Sequence, residues 1–282
     1  MTRRELIESL KAAAEPVYGE REAAAVARLV AERRYGLSRA EVALHPGAEV
    51  AVGDELNSIL ADLAAARPAQ YILGVADFDG LELAVGEGVL VPRPETEELV
   101  RWVADDSKNA ETILDIGTGS GAIAIALARR LPGARVTAID ISGEALRWAR
   151  ANNERTGAGV TMIEADILAT DNYQLSIVNY QLDVIVSNPP YIPASERAVM
   201  AANVVRHEPA GALFVPDDDP LIFYRAIAKF ARRFLSQDGA LYFEIHETLA
   251  REVAELLAAE GFREIETRRD INDKPRMIKC RP

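Results

Sequence analysis

Apolar residues recur at helical spacing over the first 67 positions, and the period then changes. Leu6, Ile7 and Leu10 mark a helix over residues 4–14. Val26, Leu29 and Val30 recur on one face of an Ala-rich stretch over 20–35. Ser38 is placed to cap a short helix that runs through Leu44, and Leu56, Ile59, Leu60 and Leu63 form one stripe over 54–66. Pro46-Gly47 and Pro68 punctuate these helices. The pattern predicts a small helical domain over residues 1–75, without a catalytic motif of its own.

Residues 76–93 read as a hairpin linker. Phe78-Asp79-Gly80-Leu81-Glu82-Leu83 and Gly88-Val89-Leu90-Val91 are its expected strands, joined through residues 86–88. Pro94 suits a helix start, and Glu95, Glu97 and Glu98 suit the positive end of that helix, which should run to about 104. From residue 112 strand and helix patterns alternate. Strands are expected over 112–116, 135–139, 160–164, 183–186 and 240–245, with helices over 122–130, 143–153 and 220–234. Such alternation means a parallel sheet with helices on both faces, a Rossmann-like α/β domain over residues 94–282. Residues 262–268 and 276–280, around Asn272-Asp273, read as a closing antiparallel pair.

Three features place a nucleoside site on that sheet. Asp115-Ile116-Gly117-Thr118-Gly119-Ser120-Gly121 follows an apolar strand and opens an apolar helix. Glycines there let a ligand approach the backbone and expose N–H groups at a helix start. Asp140 ends the next strand, where a carboxylate can accept both ribose hydroxyls, although a helix N-cap aspartate would look the same. Asp166 follows the third strand and can accept from an adenine amino group, or simply shape a loop. Gly117, Gly119 and Gly121 give G-x-G-x-G, and Ala122 stands where a dinucleotide fingerprint has its last glycine. A cofactor without a pyrophosphate is therefore favoured.

The fourth feature carries the chemistry. The strand over 182–186 ends in Ser187-Asn188-Pro189-Pro190-Tyr191. Two prolines remove two backbone donors and fix φ at both positions, so the turn is stiff. The Asn188 side-chain oxygen and the Pro189 carbonyl can accept the two N–H bonds of one NH₂ group, and Tyr191 offers a ring face for a planar amide or base. Amide and exocyclic amine nitrogens are weak nucleophiles because their lone pair is delocalised. Two acceptors push density back onto nitrogen and aim it. Placement of this kind can supply on the order of 7–11 kcal/mol. No strong general base is needed.

Bulk properties narrow the partners. Hydrophobic residues make up 49% and charged residues 27%, as in ordinary globular chains. The net charge is −12, of which −2 falls on residues 1–75 and −10 on 76–282. That weighs against broad, salt-dependent nucleic-acid binding. Cys280 is the single cysteine, so no disulfide forms within the chain and a reducing cytoplasm is expected. The N-terminus lacks the apolar core of a signal peptide, no run suggests a membrane span, and the scattered His45, His207 and His246 suggest no metal site. Glu244 and His246 read as a solvated strand end. His207-Glu208-Pro209 is placed to border a cleft. Arg93 and Glu95 read equally as a lid or as a charged helix start.

The chain resembles the HemK/PrmC family, the glutamine methyltransferases of peptide chain release factors. The resemblance spans nearly its whole length and rests on Gln70-Tyr71-Ile72-Leu73-Gly74, Val91-Pro92-Arg93-Pro94-Glu95-Thr96-Glu97, the glycine turn, Asp140-Ile141-Ser142 and the stretch from Ser187 to Ile192. Asn-Pro-Pro-Tyr alone is shared with adenine-N6 methyltransferases, and the Pro-Arg-Pro-Glu-Thr-Glu block is more specific.

The resemblance implies a helical domain that helps grip a release factor and a seven-stranded methyltransferase domain. It implies S-adenosylmethionine held by Gly117, Thr118, Gly119, Ser120, Gly121 and Asp140, with Ile167 lining the adenine pocket next to Asp166 and with Asn188 shared. The substrate would be the glutamine of a Gly-Gly-Gln motif, held by Asn188, Pro189, Pro190 and Tyr191 and methylated on N5. Two departures stand out: the polar stretch 171–181, and residues 214–220 in place of a glycine-rich stretch. Ribosomal-protein glutamine and nucleic-acid amino groups are the alternative substrates.

Overall fold

The computed structural model describes residues 1–169 and 181–282. By contacts these divide into two compact units. One holds Met1–Ala76, Val85–Glu87 and Ala198–Glu208, and the other Asp77–Ala84, Gly88–Arg197 and Pro209–Pro282.

In the first unit, α1 (Arg3–Tyr35) starts from a Thr2/Glu5 capping box and is broken at Gly19, whose φ of 72° is not helical. The expected helices over 4–14 and 20–35 are its two arms. Ser38 caps α2 (Arg39–Leu44) with Glu41 as reciprocal partner, as expected. α3 (Glu55–Ala64) and α4 (Ala69–Leu73) complete the main helices, and Leu6, Leu10, Val30 and Leu63 lie in one core.

The hairpin differs from the sequence expectation. β1 (Val75–Phe78) pairs with β2 (Leu81–Ala84), and residues 88–91 form no strand. Asp79 (φ 49°) and Gly80 (φ 74°) both occupy the left-handed region. That two-residue turn matches the twist of paired strands, so it wins over the longer Gly86-Glu87-Gly88 connection. α5 (Pro94–Asp106) begins at Pro94 with Glu95 and Glu97 in its first turn, as expected.

The second unit is built on a seven-stranded sheet ordered β10-β11-β9-β6-β3-β4-β5. Its strands are β3 (Thr112–Ile116), β4 (Arg135–Asp140), β5 (Thr161–Glu164), β6 (Leu182–Ser187), β9 (Leu235–Glu244), β10 (Arg263–Arg269) and β11 (Pro275–Arg281). The five strands β3, β4, β5, β6 and β9 are parallel, while β11 runs antiparallel between β9 and β10. Every residue of β3 is buried, as a central strand covered on both faces must be. α6 (Ala122–Arg130), α7 (Gly143–Thr156), α9 (Ile222–Phe234) and α10 (Ala250–Ala259) supply the helices. This is the expected Rossmann-like class with its antiparallel tail. The polar stretch 171–181 lies outside the described residues except for Gln181. A two-stranded β7 (Ile192–Pro193)/β8 (Phe214–Val215) pair and α8 (Ala202–His207) follow β6 in sequence.

Chain order explains the position of the site. β3, β4 and β5 step outward in one direction, and β6 then returns to the other side of β3. Ligands bind in the crevice that such a reversal opens at the carboxyl ends of the strands. Ile116 pairs with Ile139 of β4 and with Ser187 of β6. The glycine turn, Asp140 and Asn188 therefore leave the sheet side by side.

Candidate active site

The glycine turn is rigid because its own polar groups close on themselves. Gly117 and Thr118 donate their N–H groups to the Ile139 carbonyl at 2.9 and 3.0 Å, and Gly121 donates to the Thr118 carbonyl at 2.9 Å. Gly119 donates to Asp140 Oδ2 at 2.8 Å. Buried Asn152 of α7 fixes the far side, donating to the Ser120 and Ala84 carbonyls at 3.0 Å and accepting from Ala84 N–H at 2.7 Å. Four of the five N–H groups from Gly117 to Gly121 are thus engaged within the protein. A pyrophosphate needs such donors free, whereas a cofactor held by shape and by a carboxylate does not.

Fully buried Asp115 anchors the turn from below, its Oδ2 accepting from Thr118 Oγ1 at 2.6 Å. Burial pushes this carboxyl up to about 7, opposed by the Thr118 hydroxyl. Asp140 is also raised by burial, opposed by the N–H groups of Ser142 and Gly119. Its Oδ1 accepts from Ser142 N–H at 2.9 Å, so each oxygen holds one backbone donor. A carboxylate has about four acceptor positions, which leaves one per oxygen for a pair of vicinal hydroxyls.

A cavity of about 460 Å³ opens over these groups, within the range of small-molecule and cofactor sites. Gly117, Thr118, Gly119 and Ser120 line it beneath, with Asp140 beside them and Asp166 and Ile167 beyond β5. Asp166 Oδ1 accepts from Leu168 N–H at 2.8 Å, which fixes that loop. Asn188, Pro189 and Pro190 line the same cavity. The structure thus gathers ten of the twelve residues singled out in the sequence around one cavity.

Gly121 and Tyr191 are not on its wall. Gly121 has φ 83°, and a Cβ there would sit 3.0 Å from Ile125 Cδ1 and 3.3 Å from Ala149 Cβ. It serves the close approach of α6 and α7. Gly121→Ala should destabilise the fold by roughly 2–4 kcal/mol through backbone strain and overpacking, read as a shift of the urea midpoint. A midpoint equal to that of the parent would refute this packing role. Tyr191 turns its hydroxyl to Glu244 Oε1 at 3.0 Å and packs edge-to-face with His246, with ring centroids 5.8 Å apart.

Further side chains shape the site. Glu244 is only 2% exposed, which corrects the expected solvated strand end. Its neighbours satisfy it: Thr96 Oγ1 donates to Oε2 at 2.6 Å and Tyr191 to Oε1. Burial raises its pKa, opposed by those two hydroxyls and by the Arg276 charge. Arg93 lines the cavity with Thr96, while Glu95 accepts from Asn272 Nδ2 at 3.2 Å. Of His207, Glu208 and Pro209, only Pro209 reaches the cavity wall, and Phe223 and Ile227 of α9 add apolar surface that no motif announced. Among the described residues no cluster of three His, Cys, Asp or Glu side chains is arranged to hold a metal.

Residues 95–213 match the family model described as "Methyltransferase small domain". A release factor glutamine methyltransferase of Flavobacterium psychrophilum is 42% identical, over 93% of both chains. One from Bacteroides thetaiotaomicron is 45% identical over 79% of both. Among solved structures, a Thermus thermophilus 16S rRNA N2 G1207 methyltransferase, in complex with AdoMet and guanosine, superposes with a TM-score of 0.53 at 18% identity. The match covers 73% of this chain and 49% of that one. A Pyrococcus furiosus methyltransferase gives 0.52 at 19% identity over 72% and 89%. At these identities the structural likeness speaks for the fold alone.

Proposed function

The chain belongs to the release factor glutamine methyltransferase family, and from that premise we infer that it transfers the methyl group of S-adenosylmethionine to a glutamine side-chain amide of a peptide chain release factor. The observation that carries the reading is the wall shared by Asn188 and Pro189 with the glycine turn and Asp140.

These residues fit that cofactor. We assign Asp140 to the ribose hydroxyls, Gly117 to Gly121 to the turn that supports the cofactor, and Asp166 with Ile167 to the adenine. The engaged N–H groups of the turn are the observation against a pyrophosphate-bearing alternative. When bound, S-adenosylmethionine supplies a methyl carried on a positively charged sulfur.

The remaining chemistry belongs to the chain. Asn188 Oδ1 and the Pro189 carbonyl each accept one N–H of the substrate amide, which raises density on its nitrogen and points the lone pair across the cavity. Pro189 and Pro190 keep the turn from relaxing. Pro190 completes the substrate side, while Tyr191, off the cavity wall, ties the turn to Glu244. The nitrogen's surplus proton leaves to water, so no side chain is needed as a strong base. Placement and polarisation then supply the rate.

We assign the glutamine to the Gly-Gly-Gln motif of the release factor, on the family resemblance of the Arg93 to Glu97 block, and residues 1–75 to gripping that protein. The net −10 on residues 76–282 disfavours a polyanionic substrate. No helix among the described residues is long and apolar enough to cross a membrane. The lone Cys280 suits the reducing cytoplasm in which we place the reaction.

The test is incubation with labelled S-adenosylmethionine and, separately, release factor, ribosomal protein and DNA. Label should appear on the release factor and be lost when the glutamine of its Gly-Gly-Gln motif is replaced. Label on ribosomal protein or DNA alone would overturn the substrate assignment.

A further inference from the structure

We propose that Thr96 and Glu244 are positioning residues that fix which way the Asn188 amide faces, and so make Asn188 an acceptor for the substrate. The proposal rests on the role assigned to Asn188 above. Its basis is a directional chain of hydrogen bonds between three distant segments. Thr96 is the third residue of α5, Glu244 ends β9, and Asn188 follows β6. Thr96 and Glu244 are 4% and 2% exposed.

Proton counting sets the direction. A threonine hydroxyl has one proton, and Thr96 gives its proton to Glu244 Oε2 at 2.6 Å. The Thr96 oxygen can then only accept. Asn188 lies 3.3 Å away through Nδ2, the end of the amide that can donate. A reversed amide would set Oδ1 against an oxygen that has no proton left. With Nδ2 committed to Thr96, Oδ1 is the end left for a substrate N–H.

The same carboxylate holds the other end of the four-residue turn, since Tyr191 donates to Oε1 at 3.0 Å. Tyr224 donates to the Glu244 carbonyl at 3.1 Å and fixes the backbone beneath it. One buried glutamate thereby grips residues 188 and 191 together. A carboxylate serves better than an amide here because ionised it only accepts, so the chain cannot run backwards.

The alternative is that Thr96 merely joins α5 to β9. Thr96→Val keeps the shape and removes the relay, leaving Asn188 Nδ2 without its acceptor. Loss of one partner of a buried polar group predicts a fall in kcat of about 30-fold. KM for the release factor and the dissociation constant of S-adenosylhomocysteine, measured by calorimetry, should each stay within about threefold, because valine keeps the volume that Thr96 presents to the cavity wall. Thr96→Ser should restore kcat to within about threefold, since the hydroxyl returns. The Asn188 side-chain NH₂ resonances, identified by their absence in Asn188→Ala, should shift in Thr96→Val and return in Thr96→Ser. If Thr96→Val does not fold, Glu244→Gln tests the same relay and should lower kcat with the same unchanged KM. Full turnover in the folded variant, or equal damage to kcat, KM and cofactor binding, would overturn the proposal. High turnover in Asn188→Ala would instead overturn the reading on which it rests.

Discussion

Asn188→Ala should lower methyl transfer to release factor by roughly 10²–10³-fold, the scale seen when one preorganised hydrogen-bonding group is removed from an active site. Two effects combine. The substrate amide loses one of its two proposed acceptors, and with it both polarisation and aim. The Thr96 hydroxyl also loses its donor, although it keeps Glu244. Cofactor affinity should weaken by no more than about tenfold, because the contacts proposed from Asp140 and the glycine turn remain. Single-turnover kinetics with radiolabelled methyl donor, beside calorimetry with S-adenosylhomocysteine, separate the two quantities. Turnover near the parent rate would exclude the acceptor-pair mechanism, whatever happened to binding.

Asp140→Ala should act on the other side of the cavity and show the opposite signature. Each Asp140 oxygen already holds one backbone N–H and has room for one hydroxyl. Two charge-assisted bonds to a ribose, at about 1.5–3 kcal/mol each, would be lost together. Water entering the gap recovers part of this. Affinity for S-adenosylhomocysteine should therefore fall roughly 10²–10³-fold, while kcat at saturating cofactor should fall less than about tenfold. Gly119 N–H also loses its acceptor, so the melting temperature without cofactor should drop as well. A dissociation constant within about threefold of the parent would sink the ribose assignment.

Much of the fold was legible because its signals are short-range. Helices at 38–44 and from 94, the parallel strands and the terminal pair followed from caps, proline placement and apolar period. The hairpin misled for the same kind of reason. Both Asp79-Gly80 and the stretch from Gly86 to Gly88 are turn signals, and choosing between them needed the backbone: both residues of the first sit at positive φ. The cavity wall was legible where residues fall at strand ends in sequence, as Asp140 and Asn188 do. Its apolar part, Phe223 and Ile227 on α9, looked in sequence like any buried helix face.

Glu244 marks the boundary between the two kinds of information. In sequence it is a charged residue at the end of a strand, and burial of an unpartnered carboxylate is prohibitive, so solvation was the natural expectation. Its partners are 53 and 148 residues away, at Tyr191 and Thr96. No local pattern announces them, because they depend on sheet order and on where α5 packs. Residue order along the chain sets the chemistry available at the site: a stiff turn rich in acceptors, a carboxylate poised for a ribose and a glycine turn between strand and helix. Tertiary structure decided which of those groups share one cavity, that the N–H groups of the turn close inward, and which way the Asn188 amide faces. The first depends on bonds and preferences spanning a few residues, and the second on strand register and burial, which only the packed sheet sets.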